Sequence, residues 1–511
     1  MESERRQAPF ALLPVSLVVL AKIIVHLASI TQYGYFRDEL YYIASTNHLG
    51  PGYVDHPPLS IFFLAIQKML FGDSLISIRM VPLLCGVAVI VMTAMLAREL
   101  GGRSFAQSLA SLCVLCGPAF LGIHHIYSMN AWDHFFWTLA VLVLVRLLNR
   151  EDPHLWPVLG VVLGLGLLNK ISVLWLGAGI ATGLVLTPDR KWLATKGPWL
   201  AGLIAFALFA PYMIWNVSNG LPTLEFMRNA AERKMVDTAV LDFLNEQILI
   251  MNPAALPVWI SGLIFFLFSL QGRRWRILAI IYLTTLIILL AGPRKAGYLV
   301  PVYPMLFAGG GVALELWLAK GRNWILRPVL VAAQILLAAP IVPLALPLLP
   351  PDEFIQYSKK LGVTPPAEER HQRAELPQHY ADMFGWDEMV EKVARAYNTL
   401  TPEEKKHCVV FGQNYGEAGA IDVLGKKRGL PRVISGHNSY WFWGPGKDPI
   451  DVVIIIGGDG PDNAAVFEKV QIVDQIGCAR CMPYERNLDV TIGRKPRIPI
   501  SELWPQLKEF I

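Results

Sequence analysis

The chain has 511 residues, 54% of them hydrophobic and 17% charged, with a net charge of +5 and a mean hydropathy of +0.43. Soluble domains carry roughly a quarter charged residues, so this composition excludes an ordinary soluble enzyme and assigns most of the chain to a bilayer. The small positive excess comes without a basic low-complexity tract, which excludes nucleic acid as a partner; in such chains Lys and Arg mark cytoplasmic loops.

A basic start, MESERRQAPF, precedes the apolar run 10–30, long enough to cross a hydrocarbon core and lacking a small-residue cleavage site. An uncleaved first helix with a cytoplasmic N-terminus is expected. Further runs lie at 75–98, 105–123, 131–149, 155–170, 172–187, 198–216, 252–270, 277–292, 298–319 and 325–349, which predicts a polytopic α-helical membrane protein of about eleven helices. The runs 155–170 and 172–187 are short for spans. Alternating from an inside start gathers most cations on one, cytoplasmic side. These are Arg5, Arg6, Arg98, Arg103, Arg146, Arg150, Arg190, Lys191, Lys196, Arg273, Arg274, Arg276, Lys320, Arg322 and Arg327. That count needs Ser60–Phe71 to be an amphipathic or re-entrant helix, started by Pro57-Pro58 and too short to span.

Between Asn216 and Glu246 the apolar spacing of Leu221, Leu224, Phe226 and Met227, followed by Arg228, Arg233 and Lys234, predicts a surface helix. After Pro351 charges become frequent and spans cease. The expected division is a membrane domain, 1–350, with a first external loop at 31–74, and a small extracytoplasmic α/β domain, 351–511. Within the latter, Trp386–Tyr397 reads as an amphipathic helix, and Cys408–Gly412, Arg432–Ser435 and Val452–Ile456 as strands. Cys85, Cys113 and Cys116 lie in apolar runs. Cys478-Ala479-Arg480-Cys481 is a lone CxxC, read as an oxidised pair or two free thiols. The segments Gly412–Gly416 and Gly457-Gly458-Asp459-Gly460 lack the GxGxxG order and read as turns.

Three constellations can carry chemistry. In the first loop, YGYFRDELYYIASTNHLGPGYVDHPPL, a helix over Arg37–Asn47 puts Asp38, Tyr41, Tyr42 and Ser45 on one face, with Glu39 on a neighbouring face and Asp55-His56 at a proline corner. A carboxylate among aromatics at a membrane surface can act as a general base toward an acceptor hydroxyl; the alternative is a solvated loop helix whose carboxylate Arg37 neutralises. In the second, Arg294 and Lys295 sit at an external helix end, with Tyr298 one turn on and Pro301 and Pro304 interrupting the next helix. Paired cations there suit an anionic phosphate, although snorkelling to lipid phosphates gives the same pattern. In the third, Asn130, Asp133 and His134 follow His124 and His125 near the start of an apolar run, with Asn169-Lys170 at another external end. Asp133 needs a partner or a cavity, or stabilises a helix N-terminus; the histidine spacing fits no common zinc pattern.

YGYFRDELYY with GYVDHPPL, then YSMNAWDHFFW, LLNKIS, NGLPTLEF and PRKAGYLVPVYPMLFAGG, resemble bacterial members of glycosyltransferase family 39 over about residues 10–320. That family includes dolichyl-phosphate-mannose-protein mannosyltransferase-like and aminoarabinose-transferase-like enzymes with the GT-C fold. RVISGHNSYWFWGP (Arg432–Pro445) and CMPYE (Cys481–Glu485) look like those of an uncharacterised bacterial subgroup. The resemblance implies inverting transfer of a sugar from a polyprenyl-phosphate donor to a lipid, glycan or protein acceptor, at the outer face of the bacterial cytoplasmic membrane. Asp38 would be the general base, Glu39 would position the acceptor or assist, and Lys295 with Arg294 and Tyr298 would bind the donor phosphate. The family's second-loop acid often falls where this chain has Asn130. Tyr41, Tyr42, Asp55, His56, Asn130, Asp133 and Lys170 are the remaining candidate substrate contacts, and a divalent metal stays open. A transporter or flippase is the competing class, but it would show repeat symmetry and broken helices at mid-membrane. An envelope-binding module on a membrane anchor would not need so many spans.

Overall fold

The computed structural model describes residues 8–236, 238–364, 369–370, 372–458 and 460–511. Arg5 and Arg6 of the expected cytoplasmic start, and Asp459 of the second glycine segment, lie outside the described residues. The chain forms two compact units: 1–30, 78–214 and 237–348 in one, and 31–77, 215–236 and 349–511 in the other.

In the first unit every apolar run becomes helical. Leu12–Ser29, Leu75–Glu99, Met129–Arg150, Gly197–Ser218, Gly272–Ala291 and Ala296–Leu318 are each long and apolar enough to cross a membrane. Val240–Ile250 and Pro253–Phe268 form a pair bent by 94°, at Asn252-Pro253. Ser104–Cys116, Leu155–Asn169, Val173–Leu186 and Asn323–Ala338 are shorter apolar helices; Gly117-Pro118 divides the run 105–123 into two.

Lipid offers no hydrophobic drive between helices, so close backbone packing must hold them. Leu256–Phe268 and Tyr303–Leu318 meet through Gly262 and Gly310: a Cβ at Gly262 would overlap the Leu306 carbonyl, and one at Gly310 the Val258 carbonyl. The expected cationic loops converge at one set of helix ends. Arg146 pairs with Glu99 at 3.0 Å, Lys191 with Glu151 at 2.6 Å, and Arg274 donates to the carbonyls of Leu148 and Asn149.

The second unit is built on a five-stranded sheet in the order β2-β1-β3-β5-β4. The strands are β1 Cys408–Phe411, β2 Val433–Ile434, β3 Val452–Ile456, β4 Phe467–Ile476 and β5 Leu488–Pro496. β1 runs parallel to β2 and β3, whereas β5 is antiparallel to both β3 and β4. The central β3, VVIII, is buried throughout, as a strand covered on both faces must be. The sequence reading found the first three strands. It missed β4 and β5, whose polar and charged residues hide the apolar signal.

The helix Trp386–Asn398 lays Trp386, Met389, Val390 and Val393 on this sheet, and Leu40 of the first loop belongs to the same core. Segment 31–77 thus shares a core with the α/β elements. The helix Leu59–Phe71 forms as expected after Pro57-Pro58; it buries Ser60, Ile61 and Leu64 and exposes Phe62, Ile66, Met69, Leu70 and Phe71. The expected surface helix appears as Pro222–Asn229 with a π turn at Ala230–Lys234. Cys478 and Cys481 form a disulfide, with Cα atoms 5.7 Å apart.

Candidate active site

The first-loop helix is Arg37–Ser45. Its start is closed by Glu39, whose carboxylate accepts the Phe36 main-chain N–H at 2.9 Å, three residues back, as in a capping box. Glu39 is fully buried by this arrangement. Asp38, one residue earlier, stays about a third exposed. Its Oδ1 accepts the Tyr415 hydroxyl at 2.8 Å and lies 3.6 Å from Arg37 Nε; among the described residues Oδ2 has no hydrogen-bond partner. Adjacent acids in the sequence thus have opposite surroundings.

The helix is not a solvated loop, and Arg37 is not devoted to Asp38. Leu40, Tyr41, Tyr42, Ile43 and Ala44 are buried, and Gly419 of the helix Tyr415–Leu424 passes so close that a Cβ there would lie 3.0 Å from the Leu40 carbonyl carbon and Tyr41 nitrogen. The Arg37 guanidinium is buried among Asp382 (3.3 Å), Glu369 (3.3 Å) and the Tyr484 hydroxyl (2.8 Å), while Tyr484 donates to Asp382 at 2.8 Å. Burial holds the Asp382 carboxyl up at about 6 despite the attraction of Arg37.

Tyr41 donates to Asp55 at 2.8 Å and accepts from the Ser439 N–H, so the proline corner is tied to the helix and to the turn at 438–443. Tyr42 packs on the His56 ring at 4.7 Å, and His56 Nδ1 meets the Pro57 carbonyl at 3.0 Å, which fixes the corner. Tyr41, Tyr42 and His56 are buried within the loop.

The first unit brings together four other expected residues. Lys170 Nζ lies 2.8 Å from Asn130 Oδ1, 3.3 Å from Asp133 Oδ2 and 5.4 Å from the Tyr298 ring centre. Ser172 donates to both Asp133 oxygens, at 2.9 and 3.1 Å. Asp133 is buried and paired, so the requirement of a partner inside the membrane is met. Lys170, expected to contact an anion, is already opposite a carboxylate.

Lys295 is exposed at the head of the 3-10 turn Ala296–Val302. The Arg294 guanidinium donates to the main-chain carbonyls of Thr238 and Leu290. Pro301 lies in the turn and Pro304 at the start of the next helix, Tyr303–Leu318, so the prolines interrupt the helix as expected.

Sequence reasoning missed two groups. Lys22, alone in its apolar helix, donates to the Phe120 carbonyl at 2.9 Å and meets His124 Nδ1 at 3.4 Å; His124 Nε2 meets His134 at 3.3 Å. A single cation inside a span was the available signal. Among the described residues no three His, Cys, Asp or Glu side chains gather in a way that could hold a metal ion. The second group is the acid pair Glu417 and Glu485, joined through Asn414, whose amide donates to both at 2.9 Å. Burial pushes both carboxyls up, Glu485 to about 7. Glu485 lies in the unassigned motif Cys481–Glu485, and Glu417 directly follows the stretch Gly412–Gly416 read as a turn.

Residues 55–215 match the family described as dolichyl-phosphate-mannose-protein mannosyltransferase. The lipid A galacturonosyltransferase RgtD of Rhizobium johnstonii is 27% identical over 199 residues, which are 39% of this chain and 41% of that protein. An undecaprenyl phosphate-α-4-amino-4-deoxy-L-arabinose arabinosyl transferase of Pseudomonas savastanoi is 25% identical over 197 residues, 36% of each chain. The match thus spans about two-fifths of the length of these curated relatives. The crystal structure of ArnT from Cupriavidus metallidurans bound to undecaprenyl phosphate superposes with a TM-score of 0.60 at 15% identity, covering 93% of this chain and 97% of that one. This chain has the fold of that solved structure. The same fold extends to the Archaeoglobus fulgidus oligosaccharyltransferase, with a TM-score of 0.54 over 83% of this chain and 63% of the other. It is a multi-span membrane protein, with six helices among the described residues long and apolar enough to cross a bilayer, and Asp38 and Glu39 sit on the first-loop helix Arg37–Ser45.

Proposed function

We propose that this chain, which has the fold of the GT-C transferases, transfers a sugar from a polyprenyl-phosphate donor to an acceptor hydroxyl on a lipid, glycan or protein, with inversion at the anomeric carbon. The observation that carries the reading is the contrast at Asp38-Glu39: Glu39 closes a buried helix, and Asp38 presents at the surface an oxygen with no hydrogen-bond partner among the described residues. Asp38 takes the acceptor proton while the acceptor oxygen bonds to the anomeric carbon and the sugar–phosphate bond breaks. The polyprenyl phosphate leaves as an anion, which an exposed cation at Lys295 stabilises; Arg294 shapes that turn through its carbonyl contacts, and Tyr298 lies beside Lys170. Glu39 acts by fixing the helix start. The membrane spans, 1–350, hold the lipid tail, each buried methylene contributing about 0.8 kcal/mol. The N-terminus is cytoplasmic, and the α/β part, 351–511, lies outside the bacterial inner membrane.

The test is release of polyprenyl phosphate from a panel of polyprenyl-phosphate hexoses and pentoses by purified protein. Asp38→Asn is expected to lower turnover by about 10²–10⁴-fold, with insertion and thermal stability unchanged. Full turnover by that variant rejects the assigned base.

A further inference from the structure

We propose that Tyr415 is a positioning residue for the transfer: its hydroxyl holds one oxygen of Asp38 so that the other is offered to the acceptor. The proposal rests on Asp38 being the base.

A carboxylate turns about a broad, roughly two-fold torsion, and an unheld one at the surface presents either oxygen in any plane. Among the described residues, both polar neighbours of Asp38 fall on the same oxygen. Tyr415 donates to Oδ1 at 2.8 Å, and Arg37 Nε stands 3.6 Å from Oδ1. Among the described residues Oδ2 is left without a hydrogen-bond partner, at a side chain about a third exposed. Group transfer needs this asymmetry, because preset orientation lowers the barrier by avoiding reorganisation at the moment of reaction.

The tyrosine is itself held through its helix, its main chain and its ring. Asn414 caps the helix Tyr415–Leu424 by accepting the Gly416 and Glu417 N–H groups. The Tyr415 main-chain N–H donates to His437 Nδ1 at 3.1 Å, and His437 Nε2 meets the Ile511 carbonyl at 2.9 Å. Those partners require the neutral imidazole with its proton on Nε2, in keeping with burial lowering this histidine to about 3. The phenol ring lies between Tyr41, at 4.9 Å, and His437, at 5.0 Å, with the Arg37 guanidinium 5.6 Å from its centre. Burial raises the phenol well above its ordinary value, so it keeps the proton it donates. Close packing at Gly419 fixes the distance between the two helices.

The experiment compares Tyr415→Phe with Tyr440→Phe. Tyr440 is also buried and bonds Asp422 rather than Asp38. Release of polyprenyl phosphate from the synthetic donor panel is followed by steady-state kinetics. Tyr415→Phe is expected to lower kcat by about 10–100-fold, with donor KM within about two-fold. Tyr440→Phe is expected to keep kcat. Where the Phe variant fails to fold, 4-fluorophenylalanine at 415 replaces the hydroxyl with a group that donates nothing, and p-aminophenylalanine restores a donor; kcat is expected to return only with the latter. Wild-type kcat without a donor at 415, or a matching fall in Tyr440→Phe, overturns the proposal. Asp38→Asn separates the two readings. If it is inactive while Tyr415→Phe is not, positioning alone fails; if Asp38→Asn is fully active, the base assignment fails first.

Discussion

Replacing Lys170 with methionine isolates the cost of an uncompensated charge inside the first unit. Methionine keeps the length of the side chain and its packing on Tyr298 while removing the ammonium. Asp133 is about 1% exposed and Lys170 13%, with 3.3 Å between the charged atoms. Breaking a buried pair from one side costs roughly 3–5 kcal/mol. Asp133 keeps two contacts from the Ser172 hydroxyl, which puts the expected loss at the lower end, about 3 kcal/mol. Domains of a few hundred residues lose roughly 2–4 °C per kcal/mol, so the midpoint of thermal unfolding in detergent should fall by about 6–12 °C. Adding Asp133→Asn removes the stranded charge, and the double variant should recover most of that loss, to within about 1 kcal/mol of the wild type. Two results would refute the reasoning: a single variant as stable as the wild type, or a double variant no better than the single.

Lys295→Ala is expected to raise the KM for the polyprenyl-phosphate donor by about 10–100-fold, the worth of a charge-assisted contact, with acceptor KM nearly unchanged; equal effects on both substrates contradict a phosphate role. Glu485→Gln tests the buried acid pair. The Glu485 carboxyl rises from 4.5 in the unfolded chain to about 7 in the fold, so the native state holds the proton more tightly. The stability this contributes is present below pH 4.5 and is lost as pH rises through 7. Asp382, raised from 3.8 to about 6, has the same sign. The thermal midpoint should therefore drop between pH 5 and pH 8 in the wild type, and less steeply in Glu485→Gln. Parallel pH profiles for the two proteins would show that Glu485 does not bind that proton.

The apolar runs, the surface helix after Asn216 and the short helix after Pro57-Pro58 were legible because hydrophobicity, proline and capping signals act over a few residues. So was the convergence of cationic loops, where Arg146 and Arg274 meet partners at neighbouring helix ends. Strands β4 and β5 were not, since FEKVQIVDQI and LDVTIGRKP mix charged with apolar positions. At the candidate site the acid pair stood out, but its division of labour did not. Asp38 and Glu39 are adjacent and chemically alike, and only the placement of the Phe36 N–H and the Tyr415 hydroxyl separates them.

Composition and order alone determined that this is a multi-span membrane protein with a first-loop carboxylate and an α/β region beyond Pro351. Tertiary structure decided that the loop helix Arg37–Ser45 lies in the core of that α/β region, that Arg37 answers to Asp382, and that Lys170 faces Asp133. It also brought Tyr415 to Asp38 across 377 positions of chain. The reason is one of range. A span is an average over about 20 neighbouring residues, whereas the state of a buried charge depends on the single group opposite it, and that group is chosen by the path of the whole chain.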